Sequence, residues 1–175
     1  MWADFFGHGF TKQDMPSVLF HVDGKKFQPE AQLAKTSLKA YRIRHAGDVV
    51  KRKRGDFKFK ESGFSVDIGP KKNDDLAAQI KVAAKFVKKH FAEIKRLKNA
   101  DKLSLNFGYC MRFEKNGEPF WLQWNELPPE FLKMCGELRI KIVLSFFYGA
   151  TVDKLISHYV RILKLKYPKK RVAKK

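Results

Sequence analysis

Alternation of hydrophobic and polar residues predicts three strands and a short helix in the first part of the chain. Within residues 17–23, Val18, Phe20 and Val22 alternate with Leu19 and His21, and an Asp-Gly dipeptide follows, which is typical of a strand followed by a turn. Residues 41–45 and 57–68 repeat the alternation. Pro29, followed by a glutamate, favours the start of a short helix between the first two strands. Gly63 predicts a bulge or bend in the third strand.

A long amphipathic helix is predicted from about residue 73 to 98. Leu76, Ile80 and Val87 belong to a series of apolar residues at three- and four-residue steps, which predicts one buried stripe. At the helical repeat, basic residues fall within roughly a 120° arc opposite that stripe. We expect His90 beside this basic face, as a neutral imidazole. The basic residues are Lys81, Lys85, Lys88, Lys89, Lys95 and Arg96.

The second half of the chain predicts more strands and a short helix. Residues 103–109 alternate, and an Asn-Gly turn leads into a returning strand over 120–124. A short helix is predicted to start at Asn125 or Pro128 and to end at Gly136. Residues 138–144 are the most hydrophobic strand, which we expect to be central in the sheet.

The order of elements predicts an α+β fold with a mainly antiparallel sheet. Its front part matches a ferredoxin-like split β-α-β core, with the helices on one face. A further amphipathic helix is expected near the C-terminus, before Pro168. We predict a single α+β domain over residues 1–165, in which residues 1–16 form an aromatic N-terminal arm, followed by a basic C-terminal tail over 166–175.

Composition and targeting features favour a cytoplasmic protein. Hydrophobic residues make up 44% of the chain, which excludes wholesale disorder. The longest apolar run is too short to span a bilayer, and the N-terminus does not resemble a secretory signal. The two cysteines are expected to be buried, reduced thiols.

The excess of basic residues indicates the kind of partner that the protein binds. The chain has 37 Lys and Arg against 18 Asp and Glu, a net charge of +19. The excess is clustered on a predicted hairpin tip, on the long helix and on the tail, which favours binding of an anionic partner over mere solubility. The candidate contacts to nucleic acid or another anionic partner are Arg42, Arg44, Lys51, Arg52, Lys53, Arg54, Lys58, Lys81, Lys85, Lys88, Lys89, Arg96, Lys169, Lys170 and Arg171.

Residue types that carry chemistry do not form a convincing catalytic pattern. The five histidines are scattered, and no metal site or cofactor is predicted. A metal-dependent nuclease site could be built from Asp56, Glu61, Asp67 and Glu114 followed by Lys115, but exposed acids on a basic surface are the favoured interpretation. Phe57 and Phe59 alternate with lysines, so we expect them in the core, with base stacking as the alternative.

Three short segments carry a resemblance to a known family. Phe27-Gln28-Pro29-Glu30 precedes a short helix, Gly47-Asp48 follows the second strand, and Gly63-Phe64-Ser65-Val66 lies in the third. With the long helix and a strand ending at Tyr148, this pattern resembles a bacterial family of uncharacterised domains. The resemblance implies a ferredoxin-like fold and, because such domains occur among immunity proteins, a cognate toxin as a possible partner. It transfers no catalytic residue.

The favoured function is a non-enzymatic basic binding module for an anionic partner. Lysine outnumbers arginine on the helix and in the tail, which suits attraction to phosphates more than bidentate recognition of bases. We therefore expect the protein to bind the nucleic-acid backbone without strong sequence specificity. The alternatives are an immunity-type protein that blocks a toxin protein and, less favoured, a small metal-dependent nuclease.

Overall fold

A computed structural model describes residues 18–51, 55–69, 75–110 and 126–147. Within them, seven strands and three helices follow one another along the chain. They are β1 Val18–Gly24, α1 Pro29–Leu33, β2 Arg42–Arg44, β3 Val49–Val50, β4 Phe57–Lys58, β5 Ser62–Asp67, α2 Leu76–Lys95, β6 Lys102–Cys110, α3 Pro129–Glu137 and β7 Ile140–Phe147.

Five of the strands form one sheet in the order β2-β5-β1-β6-β7. All neighbouring pairs are antiparallel except β6 and β7, which are parallel. Strands β1 and β2, which α1 connects, run in the same direction with β5 between them, which is a split β-α-β arrangement. The predicted α+β fold with a mainly antiparallel sheet is confirmed. Strands β3 and β4 pair separately as a two-stranded ribbon.

Among the described strands, the most hydrophobic one is not central, contrary to the prediction. In the described sheet β7 lies at the edge, with β6 as its neighbour, and β1 occupies the centre. Val18, Phe20 and Val22 of β1 have no exposed surface, whereas Leu144 of β7 is 52% exposed. A short run of apolar residues indicates burial somewhere along a strand, but it does not specify the position of that strand in the sheet.

The helices pack on one face of the sheet. Phe20 of β1 meets Phe86 of α2, with ring centroids 5.6 Å apart. Phe131 of α3 belongs to the same buried cluster. The ring of Phe64 in β5 packs near that of Phe27, just before α1, with centroids 5.7 Å apart. Hydrophobic residues on the inner faces of the sheet and helices therefore build a single core.

Helix α2 follows the predicted stripe closely, but two polar residues also lie on its buried face. Asp75 caps its first turn, since its carboxylate accepts a hydrogen bond from Ala78 N at 3.1 Å. Gln79 is fully buried and donates to the Gly108 carbonyl of β6 at 2.8 Å. His90 is only 7% exposed, so its predicted place beside the basic face was wrong.

Two glycines have roles other than the predicted ones. Gly136 lies inside α3, which continues to Glu137, and the left-handed residue after the helix is Arg139, with φ 55°. Gly63 is not at a bulge, because it pairs in regular register with Asp23 on one side and Arg44 on the other.

Several predicted segments lie outside the described residues. They are the arm over 1–16, the returning strand over 120–124, the helix before Pro168 and the tail over 166–175. Within the described part, no helix combines the length and apolar character needed to cross a membrane.

Candidate nucleic-acid interface

The outer face of α2 carries a row of exposed basic residues. Packing of the Leu76–Ile94 stripe against the sheet turns the opposite side of the helix to solvent. The row extends over roughly 22 Å of helix axis, from the first lysine to the arginine at the C-cap. The five residues of this face that are candidate contacts are all exposed, namely Lys81, Lys85, Lys88, Lys89 and Arg96. We call this set the α2 basic row.

The only acid in α2 is used inside the fold. The carboxylate of Glu93 accepts hydrogen bonds from Ser37 N at 3.1 Å and Ser37 Oγ at 3.0 Å. It also lies 3.1 Å from His90 Nδ1. The contact with His90, and secondarily those with Ser37, lower the pKa of Glu93. The carboxylate therefore anchors α2 to the segment between α1 and β2, and the basic row has no acid from α2 in it.

The ribbon of β3 and β4 borders the predicted basic tip. Val49 pairs with Lys58, and Gly47 N donates to the Phe59 carbonyl at 2.8 Å, which extends the ladder by one step. Lys51 and Lys58 are exposed. At the far side of the tip Gly55 has φ +115°, a conformation that favours glycine. Arg52, Lys53 and Arg54 lie outside the described residues.

The two arginines of β2 have different environments. Arg42 is exposed, whereas Arg44 is 9% exposed. The Arg44 guanidinium donates from Nε to Asp23 Oδ1 at 3.0 Å, from Nη2 to the same oxygen, and from Nη1 to Ser65 Oγ at 3.0 Å. Arg44 therefore has a structural position in the sheet, and its donors are committed to neighbours in the fold.

Phe59 connects these arginines to the ribbon. The Cζ atoms of Arg42 and Arg44 each lie 5.9 Å from the centroid of the Phe59 ring, within cation–π distance. The Phe57 ring stands edge-on to Phe59, with centroids 5.2 Å apart and an interplanar angle of 90°. Phe57 is 40% exposed, so its predicted place in the core was wrong. Alternation with lysine is the same on a surface ribbon as on a half-buried strand, and the pattern therefore did not distinguish them.

The described candidate residues fall on two sides of the sheet. Arg42 pairs in register with Ser65 and shares its face, which is also the face of His21. Helix α2 packs on the opposite face, against Phe20. The α2 basic row and the arginines of β2 are therefore two separate surfaces. Lys169, Lys170 and Arg171 lie outside the described residues.

A polar network on the face opposite α2 was not predicted. His21 Nδ1 lies 2.7 Å from Ser65 Oγ, which also accepts from Arg44. Burial first, and then the nearby charge of Arg44, lower the pKa of His21 to about 4. The imidazole is therefore neutral at neutral pH, and so weak a base activates a serine hydroxyl poorly. A histidine, a serine and an arginine on neighbouring strands would suggest such a cluster only once the register is known.

Metal and thiol chemistry find little support among the described residues. Within the described ranges there is no group of three or more His, Cys, Asp or Glu that could hold a metal ion. Asp67 is exposed and accepts from Gly69 N at 3.1 Å, while Glu114 and Lys115 lie outside the described part. Burial raises the pKa of the Cys135 thiol to about 11, which keeps it protonated.

Fold and surface together define a small α+β domain whose described helices, α1 to α3, lie on one side of the sheet, with a basic outer face on α2. The chain belongs to the family described as a domain of unknown function, DUF4279, whose model matches residues 14–147. The resemblance to an uncharacterised domain family is confirmed at that level. Comparisons with curated proteins and with solved structures find no match.

Proposed function

We propose that this protein is a non-enzymatic binding module that holds nucleic acid through its backbone phosphates, without strong sequence specificity. The α2 basic row carries the proposal, because its members are all exposed and the one acid of the helix is turned toward Ser37 and His90. Like charges at i,i+4 spacing destabilise a helix, so such a row lowers the stability of α2 when no partner is bound. An anionic strand along the helix would offset that repulsion.

The residue types favour phosphates over bases as the point of contact. Four of the five members of the row are lysines, which act as flexible point charges and lack the planar fork that arginine presents to guanine. Contacts of this kind neutralise phosphates and release counterions, so affinity falls steeply as salt rises.

Support for a non-enzymatic role comes from the groups that could otherwise carry chemistry. Both His21 and Cys135 are held in their neutral forms near pH 7, with pKa values of about 4 and about 11. A general base or a thiolate nucleophile would need the opposite tuning. The nuclease alternative would require cleavage that depends on Asp67 and on added metal.

Salt-titrated fluorescence anisotropy on a generic labelled duplex tests the proposal. Neutralising Lys85, Lys88 and Lys89 to Gln should reduce the slope of log K against log salt by about 2–3. The matched control neutralises the exposed Lys25, Lys26 and Lys35, which removes the same charge elsewhere. Equal losses in both variants would reject the proposal, and so would a wild type that binds neither this duplex nor a single strand at low salt.

An acidic protein surface is the competing occupant of the same row, as the immunity-type alternative requires. Opposite charges across such an interface would accelerate association in the same salt-dependent way. Failure to bind any nucleic acid, together with a stable 1:1 complex with an acidic toxin protein, would favour this alternative.

A further inference from the structure

Phe57, Phe59, Arg42 and Arg44 form one surface cluster at the ribbon of β3 and β4, hereafter the aromatic–arginine cluster. The rings of Phe57 and Phe59 meet edge-on at 5.2 Å, and both guanidinium groups approach the Phe59 ring. Lys51 and Lys58 are exposed on the same ribbon, on the side opposite Phe57. Aromatic rings and positive charge thus occur together on one exposed element.

The cluster is held in place from inside the fold. Arg44 is anchored by Asp23 and Ser65, and its guanidinium in turn lies over Phe59. Backbone hydrogen bonds also fix Phe59, since its N–H donates to the Asp48 carbonyl at 2.9 Å and its own carbonyl accepts from Gly47 N. A ring positioned in this way loses little conformational freedom when a flat ligand is added.

Phe57 presents the exposed part of the cluster. It is 40% exposed and lies on the ribbon, outside the five-stranded sheet. Its position is separate from the hydrophobic core that the helices cover. A large ring kept at the surface beside cations has the character of a stacking platform for a planar, negatively charged polymer.

We infer that the aromatic–arginine cluster stacks unpaired bases, so that the nucleic acid this protein binds is single-stranded at the ribbon. The inference rests on the proposed function and adds the form of the ligand to it. A duplex hides its base faces in its own stack, whereas a single strand can place a base on Phe57 and its phosphates near Arg42. Any base has a π-face, so the contact needs no particular sequence.

Charge and shape favour a single strand over an acidic protein at this position. An acidic protein surface offers carboxylates but few planar groups for an exposed phenyl ring. Unpaired nucleotides combine an anionic backbone with a flat base at every step.

Fluorescence anisotropy with the full chain tests the inference on three labelled probes of equal length: an oligo-dT strand, an abasic strand and a duplex. We expect the wild type to bind oligo-dT more tightly than the abasic strand. Phe57→Ala should weaken oligo-dT binding roughly 5- to 100-fold and leave abasic and duplex binding within about twofold. Phe57→Trp should retain tight binding to oligo-dT.

Val49→Ala is the matched control. Val49 is 55% exposed on the same ribbon, and it pairs in register with Lys58, on the side opposite Phe57. This variant should bind all three probes as the wild type does. Equal effects of Phe57→Ala and Val49→Ala on oligo-dT, or an equal loss on the abasic strand, would overturn the inference while the proposed function stands. Absence of binding to all three probes by the wild type would instead reject the proposed function.

Discussion

Asp23 and Arg44 form an ion pair that bridges two strands of the sheet that are not neighbours. Strand β5 runs between them, and Gly63 occupies the position in register with both residues. The Arg44 Nε–H reaches Asp23 Oδ1 at 3.0 Å across the space that a side chain at Gly63 would fill. A Cβ at that position would lie 2.5 Å from Asp23 Oδ1 and 3.1 Å from Arg44 Nη2. The pair and the glycine therefore depend on each other.

Gly63→Ala should destabilise the protein by about 2–3 kcal/mol, because the new methyl group overlaps the Val22 carbonyl and the ion pair. Urea denaturation measures the change in the free energy of unfolding. Gly136→Ala is the control, since nothing lies within 4 Å of its Cβ position and α3 is helical there. It should be neutral or stabilise by up to about 1 kcal/mol. Similar effects of the two substitutions would contradict the close approach at Gly63.

Asp23→Asn should destabilise the protein by about 2–4 kcal/mol, because it leaves the Arg44 charge buried without its counterion. The side chains of Arg44 and Asp23 are 11% and 22% exposed. Replacing both partners, by Arg44→Met with Asp23→Leu, should cost less than the two single substitutions added together.

Lys102→Met serves as the comparison for the substitutions at Asp23 and Arg44. Lys102 Nζ pairs with Glu61 at 2.8 Å, which raises the pKa of the lysine, but its side chain is 66% exposed. We expect a loss of less than about 1 kcal/mol from this exposed pair. Additive effects at Asp23 and Arg44 would show that the two residues act independently.

Acid should destabilise the protein through His21. Its pKa is lowered from 6.5 to about 4 in the folded state, so below pH 6.5 the unfolded chain binds a proton that the folded chain resists. Stability should be complete above pH 6.5 and fall as the pH decreases toward 4. The pKa gap corresponds to at most about 3 kcal/mol.

Replacing His21 by Asn should flatten the pH dependence between 6.5 and 4, as measured by urea denaturation at several pH values. His45→Asn is the control, because His45 pairs with Glu30 at 3.1 Å with its side chain 52% exposed. Glu93, whose lowered pKa adds a loss of stability at lower pH, is present in both variants and cancels in the comparison. An unchanged slope in the His21 variant would contradict the assigned cause.

Local periodicity was sufficient to predict α2 but not the partners of its buried polar residues. Leu76, Ile80 and Val87 repeat at helical spacing, and that pattern needs no knowledge of the rest of the chain. The burial of His90 depends on Ser37, more than fifty residues away, which gives the imidazole a polar neighbour on the inner face. Pairing across the sheet likewise decides that Gly63 is required for close approach.

The candidate surfaces show the same limit. The α2 basic row could be predicted because a helix has a fixed angular repeat, so its outer residues follow from its inner ones. The aromatic–arginine cluster could not, because Phe57 alternates with lysine as a core residue would. Its exposure follows from the pairing of β4 with β3 apart from the main sheet.

Lys85→Glu should make the protein more stable and a weaker binder. Lys85 has lysines four residues away on both sides, Lys81 and Lys89, so a carboxylate there replaces two repulsions by two attractions. We expect α2 to gain up to about 1 kcal/mol, measured by urea denaturation. Binding to nucleic acid should weaken, and the slope of log K against log salt should fall by about 1–2.

Lys35→Glu, at an exposed position outside α2, should leave the salt slope within about 0.5 of the wild-type value. A gain in stability together with a loss of affinity in the Lys85 variant would indicate that the row is maintained for binding, since repulsion along the helix has no benefit for the fold. A variant that gains stability and binds as tightly as the wild type would remove α2 from the interface.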